Sequence, residues 1–186
     1  MLDEKGNKPP WNNVIERVRR CLFRVYLGNS VGTGFLVLSG ITGGTVQYTA
    51  WFATALHVLK ESLPRAGSIA DIRIVSADGK RVFDNKTSHV GLLNSGYYDT
   101  LFVILHVEEP LNFGNDLLPL LPVETKLAYG LEVGWLGFHD SIGFGPCFFH
   151  GHIAGHVSGL SVYLATGGTV IDMSGAPAFD RYRIAL

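Results

Sequence analysis

Residues 31–38 read Val31-Gly32-Thr33-Gly34-Phe35-Leu36-Val37-Leu38, and residues 45–54 read Thr45-Val46-Gln47-Tyr48-Thr49-Ala50-Trp51-Phe52-Ala53-Thr54. Both runs are short and rich in β-branched and aromatic residues, which fit a pleated, half-buried surface. They predict two strands, and Gly43-Gly44 between them suits a hairpin turn. The same grammar repeats downstream. Ala70–Ser76 alternates apolar and polar residues as a half-buried strand does, and Asp78-Gly79 follows it as a hairpin signal. Thr100–Val107 is a nearly continuous apolar run, which predicts a well-buried strand. Further strands are expected near Glu132–Gly137, Cys147–Val157, Ser161–Thr166 and Ala176–Tyr182.

Two segments break the pattern. From Trp11 to Tyr26, Val14, Val18, Cys21, Leu22 and Val25 recur at spacings of three and four, with Arg17, Arg19, Arg20 and Arg24 between them. That period predicts an amphipathic helix, at least at the start, capped by Asn12 or Asn13. Leu22–Leu27 is expected to have become strand already. The arginines read as a solvated helix face rather than a binding patch. A short turn of helix is expected around His57-Val58-Leu59-Lys60.

The chain of 186 residues fits one domain or two small subdomains sharing an interface. Residues 1–10 read as a flexible leader ending in Pro9-Pro10. Residues 107–125, with Pro110, Pro119 and Pro122, read as a connector dividing the chain near its middle. The expected class is all-β: two β-barrels of about six strands each, at about 22–106 and 126–186, behind a short N-terminal helix. Hydrophobic residues make up 47%, enough for a sizeable core, and charged residues only 17%, which argues against a disordered chain. A net charge of −1 gives no reason to expect nucleic acid or an anionic membrane as partner. No apolar stretch approaches the roughly 18 residues needed to span a bilayer. The N-terminus is polar and lacks the apolar core of an export signal, so a cytoplasmic location is expected. Cys21 and Cys147 are expected to be buried free thiols.

Three residues stand out chemically. Ser174 lies in Asp172-Met173-Ser174-Gly175-Ala176-Pro177. Glycine after the serine permits unusual backbone angles, and the proline fixes the exit. Such a turn can present a hydroxyl to a cleft, with backbone N–H groups converging beside it. A hydroxyl is a poor nucleophile at neutral pH and needs a base, which in turn needs an orienting carboxylate. His57 follows directly after a strand ending in small residues, and Asp99 stands at the mouth of the buried strand 100–107. Alone, each has an ordinary reading: a turn serine, a satisfied core histidine, a strand-end aspartate. Together they stand in the order histidine, aspartate, serine, each at a strand edge.

Thr54-Ala55-Leu56-His57-Val58 resembles the histidine box of trypsin-like serine peptidases. Asp99-Thr100-Leu101-Phe102-Val103-Ile104-Leu105 resembles their aspartate box, and Met173-Ser174-Gly175-Ala176-Pro177-Ala178-Phe179-Asp180 their serine box. Val31–Val37 resembles the Gly-x-Gly-Phe strand of bacterial HtrA-like members. Val133-Gly134-Trp135-Leu136-Gly137-Phe138 resembles the first strand of their second barrel. The likeness runs from about residue 22 to residue 182. It implies a chymotrypsin-like fold and a serine endopeptidase with His57, Asp99 and Ser174 as catalytic triad. It further implies an oxyanion hole from the backbone N–H groups of Asp172 and Ser174. The primary specificity pocket would lie near the uncharged Gly168 and Thr169, favouring an uncharged side chain before the scissile bond. The expected partner is a protein or peptide substrate, with no metal or organic cofactor.

Two departures qualify the resemblance. Asp172 stands where the family carries glycine, and a carboxylate there opposes a developing oxyanion. A catalytically inactive relative serving as a protein-binding module is therefore the alternative. Only residues 175–186 follow the serine, so the second barrel closes differently or takes a strand from elsewhere, which would make a strand-donating or activating chain a partner. His150, His152 and His156 could suggest a zinc site, but the expected reading is a polar strand face.

Overall fold

The computed structural model describes residues 9–42, 47–60, 71–85, 88–94, 99–107, 120–122, 125–139, 145–157, 162–168, 173–181 and 184–185. Residues 1–8 of the expected leader, the Gly43-Gly44 turn and most of the connector lie outside them.

Helix α1 spans Trp11–Arg20. Pro10 holds the N-cap position in extended backbone, with φ −67° and ψ 148°, and no side chain caps the helix. Asn12 and Asn13 therefore sit inside the first turn, where the Asn13 N–H donates to the Pro10 carbonyl at 3.1 Å. The expected asparagine cap is displaced because a proline at this junction already sets the entry angle. The helical period ends at Cys21, and β1 (Leu22–Leu27) begins at once. Arg24 thus stands on a strand, not on the helix face with Arg17, Arg19 and Arg20.

The chain then forms β2 (Ser30–Thr42), β3 (Gln47–Ala55), α2 (Leu56–Lys60), β4 (Ile72–Ser76), β5 (Val82–Asp84), β6 (His89–Asn94) and β7 (Thr100–Val107). These strands make one antiparallel sheet in the order β5-β4-β1-β2-β3-β7-β6. Its inward face is continuous: Phe23, Val25, Leu27, Leu36, Phe52, Ile72, Ile74, Leu101, Val103 and Leu105 are all buried. Phe23 and Phe52 meet edge-on with ring centroids 4.7 Å apart. Burying each such side chain is favourable by about 1.5–3 kcal/mol. The hairpin at Asp78-Gly79 forms as its sequence predicts, with Gly79 at φ +72°.

The second sheet contains β8 (Glu132–Phe138), β9 (Pro146–Val157), β10 (Val162–Thr166), β11 (Ala178–Phe179) and β12 (Ile184–Ala185), in the order β10-β9-β8-β11-β12. Within the strand expected over 176–182, Ala178–Phe179 form β11, which pairs antiparallel with β12, beyond that span. Strand β8 is buried on both faces. Leu136 and Phe138 join the core of the first sheet, while Val133 and Trp135 pack with Leu127, Ile153 and Met173 in a second cluster. Side chains alternate across a strand, so one strand serves both cores.

Helix α1 ties the halves together. Val18 is buried in the first core, and Trp11 packs its ring on Phe148 and Phe179. The Trp11 indole N–H donates to Glu132 at 3.0 Å, and Arg181 donates two hydrogen bonds to the same carboxylate at 3.0 Å each. Cys21 is buried and Cys147 only partly so; both are free thiols. No helix among the described residues is long and apolar enough to cross a membrane.

Candidate active site

His57 is placed by the junction of β3 and α2. Strand β3 ends in the buried Thr54 and Ala55, and Leu59, fully buried, anchors the helical turn that follows. The first N–H groups of a helix have no partner within it. Here Asp99 supplies the acceptors: its carbonyl takes the Leu56 N–H at 3.2 Å, and its Oδ1 takes the His57 N–H at 2.7 Å. Asp99 can reach because it precedes β7, which runs beside β3 with Ala55 opposite Thr100. Its second oxygen, Oδ2, bonds His57 Nδ1. The far ring nitrogen, Nε2, lies 2.9 Å from Ser174 Oγ. A carboxylate at Nδ1 fixes the proton there, leaving Nε2 to accept from the serine hydroxyl. The His57 and Asp99 side chains are 58% and 53% exposed, so the site is open to solvent.

Ser174 comes from a different element. Met173 is buried in the second cluster, and the Ala176 N–H donates back to the Met173 carbonyl at 2.9 Å, closing a tight turn. Gly175 takes φ +87°, and a Cβ there would stand 2.1 Å from the Thr33 carbonyl oxygen and 2.8 Å from the Ala55 nitrogen. Only glycine fits this position. Gly32 has a similar reason: its Cβ would meet Val58 at 2.6 Å, beside the turn that carries His57.

Thr33 holds the pieces in register. It is fully buried. Its N–H donates to the Ser174 carbonyl at 3.1 Å, its carbonyl accepts the Thr54 hydroxyl at 2.7 Å, and its Oγ1 accepts the Phe138 N–H at 2.9 Å. One residue of β2 therefore binds the serine turn, the strand before His57 and the end of β8. Sequence reading missed Thr33 and Thr54, because threonine on an apolar strand is ordinary β composition.

The other expected site residues fall out differently. Asp172 and Thr169 lie outside the described residues. Gly168 is exposed just past β10, with nothing within 4 Å of the position of a Cβ. His150 and His152 are exposed on β9; His150 Nδ1 stands 3.9 Å from Glu132, and His156 packs on Tyr163 with ring centroids 4.7 Å apart. Among the described residues no three His, Cys, Asp or Glu side chains form a group able to hold a metal ion.

This architecture is the chymotrypsin-like double β-barrel, the fold of trypsin-like serine peptidases. Among solved structures the chain is similar to Deg5, with a TM-score of 0.66 and 14% identity over 92% of this chain and 79% of that one. It is also similar to the inactive form of the Rv3671c protease of M. tuberculosis H37Rv, with a TM-score of 0.60 and 17% identity over 94% and 80%. A third is kallikrein-related peptidase 10, with a TM-score of 0.59 and 14% identity over 90% and 80%. No family model matches the chain, and no curated protein matches its sequence. At these identities the likeness is one of fold, and function must be argued from the site.

Proposed function

We propose that this chain is a serine endopeptidase that cleaves peptide bonds through an acyl-enzyme. The observation that carries the proposal is the continuous line of contacts from Asp99 through His57 to Ser174 Oγ, closed at 2.9 Å. Ser174 attacks the scissile carbonyl while His57 Nε2 takes its proton. His57 then passes that proton to the leaving amine, and a water molecule, activated by the same nitrogen, releases the acyl group. Asp99 holds the imidazole in the required tautomer and stabilises the imidazolium. General acid–base transfer of this kind contributes about 10²–10⁴ in rate. The tetrahedral oxyanion is received by the backbone N–H groups of Ser174 and Asp172. By the resemblance, Gly168 and Thr169 would line the pocket for the residue before the scissile bond, and their lack of charge favours an uncharged side chain.

Asp172 supports a second reading, a weakly active or inactive relative that binds protein. Glycine is the family's residue at this position, a carboxylate in its place would oppose the developing negative charge, and loss of one oxyanion donor costs about 10²–10³ in kcat. Hydrolysis of denatured casein separates the two. The peptidase reading predicts fragments from the wild-type chain, none from Ser174→Ala, and faster release by Asp172→Gly. No cleavage by wild type or Asp172→Gly would leave the binding role. In both readings the partner is a protein or peptide. Among the described residues, β10 and β12 each pair on one side only, which is where a strand from an activating chain would add.

A further inference from the structure

Strands β1 and β4 turn Arg24, Tyr26, Arg73 and Val75 away from the core, since their neighbours Val25, Leu27, Ile72 and Ile74 are buried. Over this outward face lies a cavity of about 310 Å³, lined among others by Arg24, Tyr26, Val75, Asp78, Phe138 and Gly145. It joins the first sheet to the end of β8, and none of its residues belongs to the Asp99–His57–Ser174 line.

Arg24 is the unusual member. It is half-buried, its guanidinium lies 4.6 Å above the Phe138 ring, and its Nη1 meets the Tyr26 hydroxyl at 3.5 Å. Among the described residues its buried Nε has no hydrogen-bond partner. Among the described residues no carboxylate pairs with it. Asp78, in the same cavity, is already engaged: it accepts the Ser76 hydroxyl at 2.6 Å and the Lys80 N–H at 3.1 Å. The Ser76 hydroxyl, with the Lys80 N–H behind it, holds the Asp78 carboxyl below the usual range, so it stays ionised. A cation partly withdrawn from water without a counter-ion is unfavourable, and an arginine flattened on an aromatic ring still has edge donors to give.

We infer that this cavity is a second binding site, one that takes a carboxylate on the Arg24 guanidinium. The ligand is singly charged and planar. A carboxylate matches the guanidinium fork and one positive charge, whereas a dianionic phosphate would face the fixed charge of Asp78. The volume sits at the small end of ligand sites and suits one amino-acid-sized group, with Val75 and Phe138 covering its apolar part. That group is an acidic side chain, a chain-terminal carboxylate or a free small acid, all sharing this chemistry.

Amide NMR titration of the full chain tests the site. The probes are acetyl-Ala-Glu-Ala-amide, its Gln counterpart, a neutral peptide with a free C-terminal carboxylate, and acetate. The expected result is saturable shifts at Arg24, Gly79 and Gly145 with at least one carboxylate probe and none with the Gln peptide. Arg24→Gln should weaken that binding about tenfold or more, and Arg24→Lys should restore it only in part. The tightest probe identifies the source of the carboxylate. Equal binding of the Glu and Gln peptides, unchanged affinity in Arg24→Gln, or no shifts at millimolar concentrations of any probe would overturn the inference. Should Arg24→Gln not fold, the wild-type comparison of the three carboxylate probes with the Gln peptide decides alone.

Discussion

Gly175 and Gly79 have the same backbone problem and different surroundings. Both take positive φ, +87° and +72°. A Cβ at Gly79 meets nothing within 4 Å, whereas at Gly175 it would stand 2.1 Å from the Thr33 carbonyl oxygen, 2.7 Å from Thr54 Oγ1 and 2.8 Å from the Ala55 nitrogen. Gly79→Ala therefore carries the conformational cost alone, about 1–2 kcal/mol. Gly175→Ala adds overpacking against backbone on two strands, a further ~1–3 kcal/mol, for about 2–5 kcal/mol in total. Relieving the contact even to 3.0 Å, the closest a Cβ tolerates, requires the turn to move by at least about 0.9 Å, and it carries Ser174 with it. A displacement of about 1 Å at reacting atoms costs on the order of 10² in rate. Urea denaturation of both variants measures the stability difference, and the rate of active-site labelling measures the displacement. If Gly175→Ala lost no more stability than Gly79→Ala and labelled at the wild-type rate, the argument that this glycine seats the serine turn would be wrong.

Other perturbations test the supports of the site. Thr33→Val keeps the backbone bonds to Ser174 and Thr54 but strands the buried Phe138 N–H, so it should cost about 1–3 kcal/mol in urea denaturation, with Thr33→Ser close to wild type. Glu132 responds to pH. The Arg181 hydrogen bonds, helped by the Trp11 N–H, hold its carboxyl below the usual range against the opposing effect of burial. A depressed folded value means that the stabilisation is complete above the unfolded carboxyl value of about 4.3 and is lost as pH falls through the folded one. Wild type should therefore lose stability faster than Glu132→Gln as pH drops below about 5. Parallel stability–pH curves would show that the carboxylate contributes nothing.

Much of the fold was legible because it rests on local pattern. Thr100–Val107 forms the expected strand with the expected ends, since an apolar run bounded by Asp99 has no other way to bury itself. The helix-to-strand switch near Leu22 follows the end of the three-four spacing at Cys21. Strand β6 was not readable: it is an edge strand, half-exposed and interrupted by Gly91, and pairing with β7 rather than its own composition defines it. The extent of β11 likewise depends on its partners, β8 and β12. At the site, the order of His57, Asp99 and Ser174 was visible, and the structure brings the three together. What could not be read was the framework of Thr33 and Thr54, whose hydroxyls bond backbone groups on other strands that only the folded sheet brings near. Arg24 falls within the expected strand Leu22–Leu27, but its stacking on Phe138 depends on β8 and could not be read locally.

The central claim is that His57 makes the Ser174 hydroxyl a nucleophile. Fluorophosphonate labelling of the purified chain, with mass spectrometry to place the adduct, tests it most directly. The account predicts a stoichiometric adduct on Ser174 that is absent in Ser174→Ala and in His57→Ala. An unlabelled Ser174 in the folded wild-type chain, or labelling that survives His57→Ala, would contradict it.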